Sequence, residues 1–479
     1  LGGQAGATAA GGYAELAEAY YQERSELTSF PGEDIQLIWS FDPGLGLVMT
    51  GIDTSVFHEA MAMRLAERSL QLNSANPDAV ALWVASNFSR QIDSPENYDN
   101  PAYGSDRREA MYYAVAAGAD VGQRVLARAL DTRDTPLARL AIASIERTAG
   151  GDSLWAGQGP RKPLLEALAY PNRRVQYEAA LALAAAQPTT GFAGSERVVP
   201  ILGGAIRDAS SRFAVVLTRN AEEYPRVRTL LESMGYAVAP PAPTLAQAAV
   251  AIADAAAVDL VVALQSADST REAIEEARGN PKLLATPILA LAQPQDVGDL
   301  SAEFARDTSV FVRNARITDD GFSAAVSQLV EVASGGPISA AEAEGYANRS
   351  IDALRDLAVA GSMVFDVGDA ATPLSTALAA TGSTLQLRLA DVLSRVDRPK
   401  AQVALFDAAM AGSGAQRVAI LGKAADSARR YGNRLEERQV GRLLQVARSA
   451  SGDEATAAAA LMGALGLSSN DIVPLLLGE

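Results

Sequence analysis

The chain holds a single imidazole, His58, and no cysteine. Metal and nucleophile chemistry both need clustered side chains, and these residues cannot supply them. A zinc site wants three or four Cys or His ligands; His58 has Glu59 beside it but no further ligand at i+3 or i+4. A packing or capping histidine at a helix start accounts for it. Without a thiol there is no disulfide, thiolate metal site or cysteine nucleophile, and no Gly-x-Ser-x-Gly sets a serine beside a base. Paired carboxylates alone can hydrolyse a glycoside, but nothing focuses two of the 57 acidic residues at one place. The carboxylates of Asp366-Val367-Gly368-Asp369 lack EF-hand spacing and its closing glutamate, so Asp369 is expected to N-cap a helix. Ile35 to Phe41 is an apolar run before the turn Asp42-Pro43-Gly44. Gly44, Gly46 and Gly51 have no Lys-Ser/Thr after them and no βαβ context, which predicts a flexible connection rather than a phosphate loop. The expectation is a non-enzyme with no cofactor and no metal.

The balance of charge limits the partners. Asp and Glu outnumber Lys and Arg 57 to 41 over 479 residues, a net charge of −16. A phosphate-binding face needs the opposite excess, so nucleic acid is not expected as a partner. No run reaches the ~18 apolar residues that span a bilayer. Leu1 is followed by small residues as far as Gly12, as after removal of a signal peptide. That points to export to the periplasm or cell envelope, with the cytoplasm as the alternative. Peripheral envelope association is compatible with both.

The elements that position these residues are mostly helical, with one exception. Between Ser211 and Ser334, five short apolar runs alternate with five helical ones. Strands are predicted over 213–217, 236–239, 258–264, 287–292 and 310–312. Helices are predicted over 221–234, 245–256, 271–278, 297–305 and 319–332, the second capped by Thr244 and the first stopped by Gly235. Strict alternation predicts a doubly wound parallel sheet with helices on both faces. Around it the periodicity is helical. A helix is expected from Tyr13 to about Leu27, helix pairs over 56–88, 120–148 and 162–185, and more pairs from Ser339 to Leu465.

Three resemblances follow from these residues. Ala66, Leu70, Leu72, the Asn76-Pro77-Asp78-Ala79 turn and Leu82-Trp83 resemble a tetratricopeptide repeat. Lys162 to Ala169, the turn Pro171-Asn172-Arg173-Arg174 and Val175 to Ala185 resemble a HEAT repeat of the short bacterial kind. That resemblance implies that the arginine after the turn bonds neighbouring carbonyls. The stretch Arg212–Ala333 resembles the response-regulator receiver domain, on Ala214 to Asn220, Leu231 to Tyr236, Asp259 to Val262 and Pro287 to Leu291. The receiver's Mg²⁺-binding acidic pair falls on Thr218 and Arg219, and its phosphoacceptor aspartate on Leu264, or on Ala263 or Gln265 with a shift of one. Its strand-four hydroxyl falls on Ala292 and its strand-five lysine on Arg313. Residues of these types make no site for a hard cation and supply no carboxylate to form an acyl phosphate, so the resemblance implies a degenerate receiver. The alternative is a generic flavodoxin-like packing module.

The fold class expected is mainly α: a solenoid of HEAT- and TPR-like repeats interrupted by a doubly wound α/β receiver-like domain. The expected domains are 1–104 (helical, with the TPR-like hairpin), 105–210 (HEAT-like), 211–336 (pseudo-receiver) and 337–479 (HEAT-like). The expected function is a scaffold that binds other proteins or copies of itself. The alternatives are a signalling adaptor whose pseudo-receiver takes a small ligand, and a structural subunit of an envelope assembly. Tyr98, Tyr103 and Trp155 lie in unpatterned stretches and are the candidate interface anchors; the other reading is that they fold back over helix ends.

Overall fold

In the computed structural model, residues 8–151, 153–154, 161–380 and 382–477 are described. The first helix, α1 (Ala9–Tyr21), is capped by Thr8, whose side chain accepts from Gly11 N. It ends six residues before the expected Leu27, because the chain turns through Glu23 in the left-handed region at φ +49°. There follow β1 (Ile35–Asp42) and β2 (Gly46–Asp53), then α2 (Phe57–Leu72), α3 (Pro77–Asp93), α4 (Ala110–Thr132), α5 (Thr135–Thr148), α6 (Pro163–Ala167) and α7 (Arg173–Ala186). Asn76 and Asp134 N-cap α3 and α5, each with proline in the first turn, where its missing N–H costs nothing. Consecutive long helices pack against one another from α1 to α5.

The expected flexible connection at 44–51 is instead half of a β-hairpin. Strands β1 and β2 pair antiparallel in register from Ile35 opposite Asp53 to Asp42 opposite Gly46. The turn has its own chemistry: Asp42 Oδ1 accepts from Gly44 N at 2.7 Å and Leu45 N at 2.9 Å, and Gly46 sits at φ +82°. Asp and Gly supply those geometries more cheaply than other residues.

After α8 (Val198–Asp208) comes the α/β segment, in the order β3 (Arg212–Thr218), α9 (Tyr224–Ser233), β4 (Tyr236–Val238), α10 (Leu245–Asp254), β5 (Leu260–Leu264), α11 (Ala267–Gly279), β6 (Ile288–Ala292), α12 (Val297–Glu303), β7 (Val310–Asn314) and α13 (Asp319–Ser334). All ten elements fall where the alternation puts them. The five strands form one parallel sheet in the order β4-β3-β5-β6-β7. Side chains alternate across it. Val215, Leu217, Val261 and Ala290 pack under α10, α11 and α12, while Ala214, Val216, Val262 and Leu289 pack under α9 and α13. Thr244 caps α10 by accepting from Gln247 N, and Gly235 turns the chain at φ +86°.

The chain divides into two compact units, Leu1–Ala182 with Arg212–Gly336, and Leu183–Ser211 with Pro337–Glu479. In the first, the α/β segment is fastened to the helices before it. Asp259, just ahead of β5, accepts from Phe213 N at 2.8 Å and pairs with buried Arg173 at 3.2 Å. Arg174, also buried, donates to the carbonyls of Ser334 at 3.3 Å and Gly336 at 2.7 Å. In the second unit, α8 packs on α14 (Ala340–Ala360) and α15 (Ala371–Ala380). Gly203 of α8 permits this contact, since a Cβ there would lie 2.6 Å from Pro373 Cγ. The α/β segment is thus inserted, in sequence, between two helices, α8 and α14, that pack on each other. The array continues through α16 (Ser383–Leu393), α17 (Pro399–Ala411), α18 (Gly414–Tyr431), α19 (Glu437–Ser449), α20 (Gly452–Leu465) and α21 (Ser469–Leu477). Asp366, not Asp369, supplies the cap before α15: its Oδ1 accepts from Gly368 N, and Asp369 lies inside the 3-10 turn Val367–Ala370. That turn runs directly into α15, so the capping position lies ahead of it, at Asp366.

Candidate functional site

The carboxyl ends of β3, β5, β6 and β7 bring Thr218, Arg219, Leu264, Ala292 and Arg313 to one end of the sheet. Thr218 lies opposite Leu264 in the ladder, and Ala292 opposite Asn314, next to Arg313. Buried Thr218 accepts from Asn220 N at 3.0 Å, and Arg219 is exposed. Leu264 packs with the apolar cluster under α9 and α13, and Ala292 is buried on the opposite face. Arg313 lies over the Phe311 ring at 4.8 Å and donates to Val312 O. Gln265 Nε2 donates to Pro243 O at 2.7 Å. These side chains serve packing and backbone hydrogen bonds.

The hairpin carries features of another kind. With period-two alternation, Gln36, Ile38 and Ile52 face inward and are buried. The opposite face presents Trp39, Phe41, Leu47 and Met49, with Leu45 at the turn, all between 53% and 80% exposed. Trp39 stands opposite Met49 and Phe41 opposite Leu47, so the four form one patch. Taking such side chains at roughly 150–250 Å² each, the five expose on the order of 600 Å², the upper end of what a monomer's largest patch shows. Sequence reading missed it because Leu37, Ile38 and Trp39 are apolar at adjacent positions of β1 and β2 holds Gly46 and Gly51. The available signal was Asp-Pro-Gly between two apolar runs, which marks a hairpin.

The hairpin's inner face, α2, the end of α3 and the loop 100–107 enclose a cavity of about 240 Å³. Tyr98 and Tyr103 hold that loop. Tyr98 OH accepts from Asp53 N at 2.9 Å while its ring packs near Ile38, Ile52 and Phe57. Tyr103 OH donates to Arg108 O at 2.6 Å, and the Arg90 guanidinium lies 3.7 Å from its ring centroid. Both tyrosines are half-buried and tie the loop to the hairpin and helices. Trp155 lies outside the described residues.

Below the hairpin, the start of α2 buries two titratable groups. His58 Nε2 is 2.9 Å from Thr28 Oγ1, its ring packs edge-on to Phe57, and burial lowers its pKa. Glu59 is buried with Oε2 making no hydrogen bond. Burial, reinforced by the charges of Glu23 and Asp93, pushes its carboxyl up to about 8. Among the described residues no three His, Asp or Glu side chains are grouped to hold a metal ion, and no helix is long and apolar enough to cross a membrane. No protein-family profile matches the chain, nor does any curated protein or solved structure.

Proposed function

We propose that the protein is a non-enzymatic scaffold that pairs with a second copy of itself through the exposed face of the β1–β2 hairpin. The observation that carries this reading is the patch of Trp39, Phe41, Leu45, Leu47 and Met49. A monomer gains nothing by keeping such a surface wet. Two copies meeting face to face would bury about 1,200 Å² in total, the lower bound of specific, stable interfaces. Sheet faces pack at about 10 Å with interdigitating side chains, and a two-fold axis makes one surface sufficient for both partners. Each copy carries −16, so the pairing strengthens as salt screens the repulsion; attachment to a basic partner would weaken. The helical arrays supply further docking surface. The α/β segment serves as a receiver-like packing module without phosphotransfer, a reading supported by its strand order, which is the flavodoxin-like one, and by the side chains at its strand ends.

Light scattering behind size exclusion tests the pairing. The wild type is expected to run as a dimer at moderate salt. The double variant Phe41→Ser, Leu47→Ser is expected to run as a monomer with wild-type circular dichroism, because both side chains are exposed, and to lose only the part of the melting temperature that depends on protein concentration. A wild-type monomer at every salt concentration, or a dimer that survives the double substitution, overturns the reading.

A further inference from the structure

The cavity behind the hairpin is cationic in a chain that is otherwise acidic. Three arginines line it, Arg64, Arg90 and Arg107, against one carboxylate, Glu67. Only Arg107 is neutralised, by Glu67 at 2.8 Å. Arg64 Nη1 donates to Trp39 O at 2.7 Å, and Arg90 Nε donates to Asn87 Oδ1 at 3.0 Å. Neither has a carboxylate partner among the described residues. Burial and the nearby Arg107 charge lower the pKa of Arg90, so its cation is held at a cost that a ligand's negative charge would relieve.

A neutral donor points the same way. Asn100 lines the cavity and is buried, and its Nδ2 makes no hydrogen bond. Its Oδ1 accepts from Ala102 N at 2.9 Å, which fixes the amide so that the unsatisfied atom is the donor. A buried donor without a partner costs free energy unless an acceptor arrives. Ile38, Ala60 and Met63 give the lining its apolar part.

From these groups we infer that the cavity binds a small organic anion, its carboxylate or phosphate oxygens held by Arg64, Arg90 and Asn100 and its body against Ile38 and Met63. Planar guanidinium groups match both oxyanions through paired N–H donors, which a single ammonium cannot do. The volume of about 240 Å³ suits a group of benzoate size. This inference stands apart from the pairing of hairpins, because the cavity opens behind the strands whose other face makes the patch.

Titration calorimetry on the full chain at low ionic strength tests it, with sodium benzoate as the planar probe and inorganic phosphate as the tetrahedral one. Choline chloride and sodium chloride serve as controls. Saturable binding of at least one probe is expected, with a Kd of about 1 mM or tighter, and none of choline. Arg90→Gln is expected to weaken that binding about tenfold or more. Arg64→Gln, an exposed position where folding is not at stake, is expected to weaken it about fivefold. Whichever probe binds more tightly assigns the oxyanion as planar or tetrahedral. Absence of saturable binding by either probe, or wild-type affinity in Arg64→Gln, overturns the inference even where Arg90→Gln fails to fold.

Discussion

Replacing Glu59 by Gln should change how the N-terminal helices respond to pH, and the size of the change follows from burial. In the folded chain the carboxyl ionises near 8, against 4.5 for an unperturbed glutamate. Below pH 4.5 both states carry the proton and stability is whole. As pH rises, the unfolded chain releases its proton first, so stability is lost steadily until the folded carboxyl also ionises. Each pH unit in that window costs about 1.4 kcal/mol, so the loss from pH 5 to pH 8 reaches about 4 kcal/mol. Glutamine keeps the shape and has no proton to lose. The two proteins should therefore agree to within about 1 kcal/mol at pH 5, while Glu59→Gln is the more stable by about 4 kcal/mol at pH 8. Groups that do not act on Glu59, His58 among them, are common to both proteins and cancel in the difference; Asp93, whose own carboxyl is pushed up to about 7 by burial, acts on Glu59 and is part of the effect measured. Urea unfolding followed by the fluorescence of Trp83, whose Nε1 donates to Glu67 at 2.8 Å and whose ring packs on Tyr113, reads this region. If the two stability curves stay parallel from pH 5 to pH 8, Glu59 is not the buried acid described, and the reasoning from burial fails.

Two further outcomes test the packing. Arg173→Ala removes the buried partner of half-buried Asp259 and should cost about 2–3 kcal/mol in denaturant unfolding of the first unit; Asp259→Asn in the same chain should recover part of that loss. Gly203→Ala pushes a methyl against Pro373 and should lower the stability of the second unit by about 1–3 kcal/mol, whereas Gly204→Ala, with open space around it, should not.

What could be read from sequence follows from how strongly each period is enforced. The inner strands β3, β5 and β6 are buried on both faces, so Phe213 to Leu217 or Pro287 to Ala292 must be apolar throughout and bounded by turn residues. Those three were therefore legible. The hairpin β1–β2 inverts the usual pattern. Trp39, Phe41, Leu47 and Met49 lie on its exposed face, and Gln36, Ser40 and Thr50 lie beside Ile38 and Ile52 on the inner one, so its alternation does not mark a buried apolar face. Docking of the α/β segment rests on Arg173, Arg174 and Asp259, polar residues whose partners lie 86 to 162 positions away; nothing local records such a pairing. The cavity was hidden for the same reason. Arg64, Arg90 and Asn100 come from two helices and a loop, and each alone looks like an ordinary surface residue. Tyr98 and Tyr103 were visible as unexplained aromatics, but their hydroxyl partners were not.

The closure of α8 onto α14 bears on how the chain is made. The two helices are neighbours in the finished array, yet the ribosome must add about 130 residues between Asp208 and Ala340, which at about 5–20 residues per second takes roughly 7–26 s. Throughout that interval Val198, Val199, Leu202 and Ala205, all buried in the finished protein, lack the surface they will cover. The α/β segment can fold meanwhile against the helices already synthesised, to which Arg173 and Arg174 fasten it. Aggregation during synthesis should therefore depend on the speed of elongation through residues 212–336 more than on any other part of the message.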